Sequence, residues 1–202
     1  MESEALREQA KYDVIWRELP SYRDCSPGEI FASYFFDGFK GKMRPGQTII
    51  DFGCGTARVA KSFLAKGLNV TLVDISPYSL DEEVRNALKL FSQQIEFVQA
   101  CLWQLPPSLK SAYWIYCCDV LEHIPEEKVD EVLAAIAERM RFGGYFSICL
   151  KEDLVGKEIG LPLHLTVKER GWWEERISKY FMIASEDVLS KGLYFNCRVT
   201  KK

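Results

Sequence analysis

From Gln47 onward the chain alternates short apolar runs with longer amphipathic ones, and few folds accept that rhythm. QTIIDF reads as a strand and ARVAKSFLAKG as a helix ended by Gly67; NVTLVD is a second strand and PYSLDEEVRNALKLFSQQ a second helix. IEFVQA and AYWIYCC continue as strands, PEEKVDEVLAAIAERM as a helix opened by proline, and YFSICLK as a fifth strand after Gly143 and Gly144. Strands that are apolar almost throughout have no wet face, so they predict a parallel sheet covered by helices on both sides. The ending differs. After a long loop comes the helix VKERGWWEERISKY, then FMIASE and LYFNCRVT around a turn at Lys191 and Gly192. These last two runs predict an antiparallel hairpin at the sheet edge. The expected fold class is therefore α/β: a seven-stranded, mostly parallel Rossmann-like sheet with an antiparallel C-terminal hairpin.

Ahead of the sheet the spacing is helical. Tyr12, Ile15, Trp16 and Leu19 fall on one face, and Pro20 is expected to stop that helix. Ser26, Pro27 and Glu29 then form a helix start, with Ser26 as N-cap and Glu29 closing a capping box, for an aromatic-rich helix over 27–40. No repeat, low-complexity tract or linker divides the 202 residues. One domain is expected, with a helical cap over 1–45, a core over 46–202, and a substrate-cover loop at about 152–167.

Charge and cysteine usage exclude several classes. A net charge of −3 provides no general basic face for a phosphate backbone, which argues against a nucleic-acid partner. The seven cysteines are odd in number and include no C-x-x-C pair, so neither a disulfide framework nor a metal site is expected. Reduced thiols in a cytoplasmic protein are the simpler reading. MESEALREQAK is too charged for a leader peptide, and no apolar stretch approaches a membrane span.

The chemistry-bearing stretch is DFGCGTAR, residues 51–58. Gly53 and Gly55 permit a tight strand-to-helix turn and close backbone approach to a ligand. A dinucleotide turn would need a third glycine where Arg58 stands. Asp74 ends the next strand, where doubly wound folds place a carboxylate for ribose hydroxyls, while Ser76 and Pro77 are read as the cap of the following helix. Asp51 precedes the glycines. An anion there repels a pyrophosphate but suits a cofactor carrying an ammonium and a sulfonium, which points to S-adenosylmethionine (SAM) rather than a nicotinamide.

The ordered set D-F-G-C-G-T-A, V-D-I-S, V-L-E-H-I-P and R-F-G-G-Y-F resembles the motifs of class I SAM-dependent methyltransferases, closest to the small-molecule branch that includes the ubiquinone- and menaquinone-type enzymes. The resemblance covers roughly residues 47–151, and the closing hairpin belongs to the same fold. It implies that Gly53, Cys54 and Gly55 wrap the methionine part of SAM, with Asp51 near its amino group. Asp74 would hold the ribose hydroxyls and Ile75 would pack on the adenine. Asp119 would turn its backbone carbonyl toward the cofactor amine. Arg23, in the segment that folds over the cofactor in this fold, would pair with its carboxylate, and Tyr22 would line the site.

Two positions depart from the family. Ala57 replaces the third glycine, and Cys101 stands where an acid usually accepts from the adenine amino group. A thiol accepts poorly, so adenine recognition would fall to backbone groups of Cys101 and Leu102, with Trp103 available for stacking. The two histidines, His123 and His164, both fall where a catalytic base for the methyl acceptor would lie. The expected activity is methyl transfer to an oxygen or nitrogen of a small molecule. An RNA or protein methyltransferase, and a non-catalytic partner that keeps the cofactor fold, are the alternatives.

Overall fold

A computed structural model describes residues 3–24, 26–153, 155–187 and 192–202. Its centre is a seven-stranded sheet, β1 (Thr48–Phe52), β2 (Asn69–Asp74), β3 (Ile95–Gln99), β4 (Ala112–Cys118), β5 (Met140–Cys149), β6 (Phe181–Asp187) and β7 (Tyr194–Lys201). The spatial order is β3-β2-β1-β4-β5-β7-β6. The first five strands pair in parallel, and β7 enters antiparallel between β5 and β6. The expected hairpin is present, although Lys191 in its connection lies outside the described residues. From β1 the chain runs outward to β2 and β3, then returns to place β4 on the other side. The connections diverge at that point and leave a crevice at the carboxyl ends of the strands.

The pleat sends successive residues to opposite faces, so each strand feeds two cores. Ile50, Phe52, Ile115, Cys117, Phe146 and Ile148 face one side. There they meet Val129, Val132, Leu133 and Ile136, the apolar stripe of α6 (Glu126–Arg139), and Trp173 and Ile177 of α7 (Arg170–Tyr180). Ile49, Leu72, Trp114, Tyr116 and Tyr145 face the other side, against Phe31 and Phe35 of α3 (Pro27–Gly38) and Phe63 of α4 (Ala60–Ala65). Val84 of α5 (Glu82–Leu90) closes the same layer.

Several local expectations are corrected. Pro20 does end α1 (Glu4–Glu18), but it also opens a short α2 (Pro20–Asp24), because proline is well placed at a helix start. The Ser26 side chain makes no cap bond; its hydroxyl instead lies 3.2 Å from that of Thr56, joining α3 to the glycine turn. The helix after the glycines begins at Ala60 rather than at Ala57 because Ala57 itself is left-handed, with φ of 55°. Ser76 does not cap α5, which starts six positions later at Glu82 after Asp81. Among the described residues no helix is long and apolar enough to cross a membrane.

Candidate active site

The crevice at the carboxyl ends of β1, β2, β4 and β5 is a cavity of about 340 Å³. One end is built on the glycine turn. Gly53 and Gly55 have φ of 68° and 51°, so both occupy the left-handed region that glycine accepts at no steric cost. A Cβ on Gly53 would lie 2.4 Å from Val120, and one on Gly55 would lie 3.3 Å from the Trp16 ring. The bare backbone therefore lets side chains from both walls close on the turn. Gly53 and Cys54 donate their N–H groups to the Val73 carbonyl, which pins the turn to the end of β2.

Asp74 is bound into this turn as well as facing the cavity. Its carboxylate accepts from the Gly55 N–H at 2.8 Å and from the Ser76 N–H at 2.9 Å. Burial lifts its pKa to about 6, and these amide bonds hold it from rising further. Asp51 is treated differently. It is buried at the end of β1, its Oδ2 has no hydrogen-bond partner, and burial followed by the nearby charge of Asp74 pushes its pKa to about 8. The cavity therefore contains an uncompensated carboxyl group beside a glycine turn whose two glycines put no side chain over the backbone.

Ile75, Ala100, Cys101, Leu102 and Trp103 form the wall beyond Asp74. Cys101 precedes a short 3-10 turn at Leu102–Gln104, and burial raises its thiol to about 11, so it remains neutral. Trp103 belongs to the core cluster and also lines the cavity.

The roof is α1, from which Glu8, Tyr12 and Trp16 face the cavity, joined by Tyr22 from α2. Polar contacts fasten this roof. The Tyr12 hydroxyl lies 2.9 Å from Nδ1 of His123, and the Ser76 hydroxyl donates to Asp13 at 2.6 Å. Arg23 is not among the cavity-lining residues. Its guanidinium donates to the carbonyls of Trp16, Tyr78, Ser79 and Leu80 and to Asp81, clamping α2 to the turn after β2. Every described bond of Arg23 serves this clamp rather than a cofactor carboxylate.

The far end contains the polar groups around the β4 and β5 termini. Asp119 follows β4 directly with φ of 60°, and its N–H donates to the Ser147 carbonyl at 2.8 Å. Glu122 and His123 follow in a 3-10 turn, Leu121–His123, while Cys149 ends β5 and His164 comes from the loop beyond it. Nδ1 of His123 is 3.0 Å from the Leu163 carbonyl, and Nδ1 of His164 is 2.5 Å from the Lys151 carbonyl. A carbonyl only accepts, so each ring carries its proton on Nδ1 and leaves Nε2 as the lone pair. Burial, then His164, lowers the His123 pKa to about 3, which makes it a weak base. Burial raises Asp119 and Glu122, each of which also feels the other's proximity.

The structure thus brings Asp51, Gly53, Cys54, Gly55, Asp74, Ile75, Cys101, Leu102, Asp119, His123 and His164 to one cavity and leaves out Arg23. Sequence reasoning missed Tyr12, which it read as core spacing, and Tyr116, whose hydroxyl donates to the Gly28 carbonyl at 2.5 Å. It also passed over Glu122 while weighing its neighbour His123. Four basic residues after β5 pair with acids outside the cavity. Lys168 pairs with Glu126, Arg170 with Glu186, and Arg176 and Lys179 with Asp130.

Comparison with known proteins agrees with this architecture. Residues 49–144 match the family model described as a methyltransferase domain. The ubiquinone biosynthesis O-methyltransferase of Idiomarina loihiensis is 27% identical over 100 residues, 49% of this chain and 40% of that protein. The protein of the same name from Albidiferax ferrireducens is 29% identical over 50% of this chain and 39% of its own length. The chain therefore spans about two fifths of the length of these curated relatives. Among solved structures, magnesium protoporphyrin IX methyltransferase from Synechocystis, with bound SAM, superposes with a TM-score of 0.71 at 15% identity, covering 100% of both chains. The 1,6-didemethyltoxoflavin-N1-methyltransferase of Burkholderia thailandensis gives 0.76 at 17% identity, covering 98% of this chain and 88% of its own. Residues 49–144 thus form a methyltransferase domain by their family match, and the likeness to solved structures extends the fold of that domain over the whole chain.

Proposed function

We propose that the protein transfers a methyl group from SAM to an oxygen or nitrogen of a small molecule. The observation that carries this reading is the unpartnered, buried carboxyl of Asp51 beside the bare backbone of Gly53 and Gly55. A cationic amino group satisfies that carboxyl and a pyrophosphate does not. When bound, SAM supplies an electrophilic methyl group on its sulfonium.

The chain's own residues have the work of holding, aligning and drying. Gly53, Cys54 and Gly55 present backbone to the methionine part, and Asp51 meets its ammonium. Asp74 accepts from the ribose hydroxyls through lone pairs its two amide partners leave free. Ile75 packs on the adenine, while backbone groups of Cys101 and Leu102 read its edge. Asp119 offers its carbonyl at the sulfonium end. His164 is the better placed acceptor-side base, since burial makes His123 a weak one; His123 serves mainly to seat the roof through Tyr12. In this reading residues 1–45 form the cap, 46–202 the core, and 152–167 the substrate cover. The branch with the ubiquinone-type enzymes is part of the proposal.

The charge of the cavity narrows the acceptor. Its walls carry six carboxyl side chains, from Glu8, Asp51, Asp74, Asp119, Glu152 and Asp153. Against them stands only the guanidinium of Arg58 among the described residues, and it is paired with Asp81. That field disfavours an RNA acceptor and any acceptor bearing phosphate. The described cysteines are free thiols, which suits a reducing, cytoplasmic setting.

Calorimetric titration with SAM, its demethylated product and NAD tests the reading. Binding of the first two without the third is expected. Tight binding of NAD alone would overturn it.

A further inference from the structure

The polar groups at the acceptor end exceed what methyl transfer requires. The ligating atoms of Asp119, Glu122 and His123 all lie within 4.8 Å of one another, and so do those of Glu122, Cys149 and His164. Glu122 belongs to both sets. We propose that these residues form a divalent metal site, centred on Glu122, that takes a borderline transition ion such as Zn²⁺.

Glu122 is the strongest sign. Its side chain is 0% exposed, its Oε1 accepts from the Cys149 N–H at 2.6 Å, and its Oε2 has no hydrogen-bond partner. Oδ1 of Asp119 is also buried without a partner. Among the described residues no lysine or arginine forms an ion pair with either carboxyl; the ion pairs of the molecule lie elsewhere. Two adjoining carboxyl groups with open lone pairs and no cation are costly to bury, and a bound dication removes that cost.

Both histidines have an outer partner of the kind that supports a ligand. Each has its Nδ1 against a backbone carbonyl, Leu163 for His123 and Lys151 for His164. A contact of this kind fixes the tautomer with Nε2 unprotonated and is the usual outer support of a metal-bound imidazole. Glu122, Cys149 and His164 make a mixed oxygen, sulfur and nitrogen set, and Asp119 and His123 stand within reach of the shared Glu122. Zinc and its neighbours accept such a set, whereas Mg²⁺ and Ca²⁺ prefer oxygen alone. With metal–ligand bonds of about 2.0–2.3 Å, ligands sit roughly 3.3–3.8 Å apart around a tetrahedral ion, so closure needs movements on the order of 1 Å.

Asp119, His123, Cys149 and His164 also line the cavity, so an ion here has an open side toward it. On the methyl-transfer reading, an acceptor hydroxyl bound on that side would give up its proton to solvent water near neutral pH without a strong protein base. This role rests on the proposed function; the metal site itself does not.

The test uses the full chain, stripped with chelator and titrated with Zn²⁺ by calorimetry and with Co²⁺ by absorption. One equivalent is expected to bind, with visible Co²⁺ bands of low symmetry and a near-ultraviolet thiolate band that Cys149→Ser removes. His164→Asn and Glu122→Gln should each weaken Zn²⁺ by at least about tenfold. His164 sits in a loop, so its variant remains informative if Glu122→Gln fails to fold, as circular dichroism will report. No Zn²⁺ binding at 1:1 in the folded wild-type chain, or binding unaltered in His164→Asn, would overturn the site. A parallel SAM titration of the stripped protein keeps the two proposals apart: SAM bound without any metal binding removes the metal site and leaves methyl transfer standing.

Discussion

The hydroxyl of Tyr12 and Nδ1 of His123 meet at 2.9 Å across 111 positions of sequence, and this contact ties the roof helix to the turn that follows β4. The two rings also sit edge to face, with centroids 6.1 Å apart. The roof is thereby coupled to the acceptor end of the cavity rather than to the glycine turn alone.

Tyr12→Phe keeps the ring and removes the hydroxyl. A net hydrogen bond contributes about 1 kcal/mol, so SAM affinity is expected to fall by about fivefold, with unaltered circular dichroism. Affinity equal to wild type would mean that α1 plays no part in holding the cofactor.

Asp51 predicts a proton count. A group with a pKa of about 8 is mostly protonated at pH 7, and an arriving ammonium favours its ionised form. Calorimetry in buffers of different ionisation enthalpy should show release of nearly one proton per SAM at pH 7, fading above pH 9. Asp51→Asn should abolish it.

The same group sets a sign for stability without ligand. Its folded pKa lies above an unfolded value of about 3.9, so the native state holds the extra proton between these values. The fold loses stability from this group as pH rises through that window. Melting temperature should fall less steeply with pH in Asp51→Asn; parallel curves would contradict the buried, uncompensated carboxyl.

Asp74→Ala removes an acceptor for two ribose hydroxyls and strands the Gly55 and Ser76 amides. Loss of charge-assisted bonds worth about 1.5–3 kcal/mol corresponds to roughly ten- to a hundredfold weaker SAM binding. Stability should also drop by about 1–3 kcal/mol for the orphaned amides. An unchanged titration would misplace the ribose.

Ala57 sets two effects against each other. A left-handed alanine costs about 1–2 kcal/mol, while its buried methyl contributes about 0.8 kcal/mol through packing. Ala57→Gly should therefore leave stability unchanged or raise it by up to about 1 kcal/mol in denaturant unfolding. A clear loss would show that packing, rather than backbone conformation, governs this position.

The strands were legible because each is an apolar run between polar punctuation, and their alternation with helices dictated a parallel sheet. Helix starts were less legible. Nothing in T-A-R-V announces that Ala57 is left-handed and delays α4 to Ala60, and Ser26 looks like a cap until Thr56 engages its hydroxyl. Motif spacing brought eleven candidate residues to one cavity because the ends of parallel strands converge. Arg23 escaped because its acceptors are carbonyls of a turn more than fifty positions away, which no local pattern encodes. Glu122 lay inside a quoted motif, yet its significance is its burial and its orphaned oxygen, and those are properties of packing.

Trp16, packed against Gly55 and set edge to face with Tyr22 at 4.8 Å, gives the cavity a built-in optical reporter. Of the five tryptophans, Trp16 and Trp103 line the cavity, while Trp114 and Trp173 are sealed in the two cores. A ligand that displaces water from the glycine turn alters the surroundings of the first pair and leaves the second pair dark to the event. Intrinsic emission can therefore follow occupancy in real time and without a label.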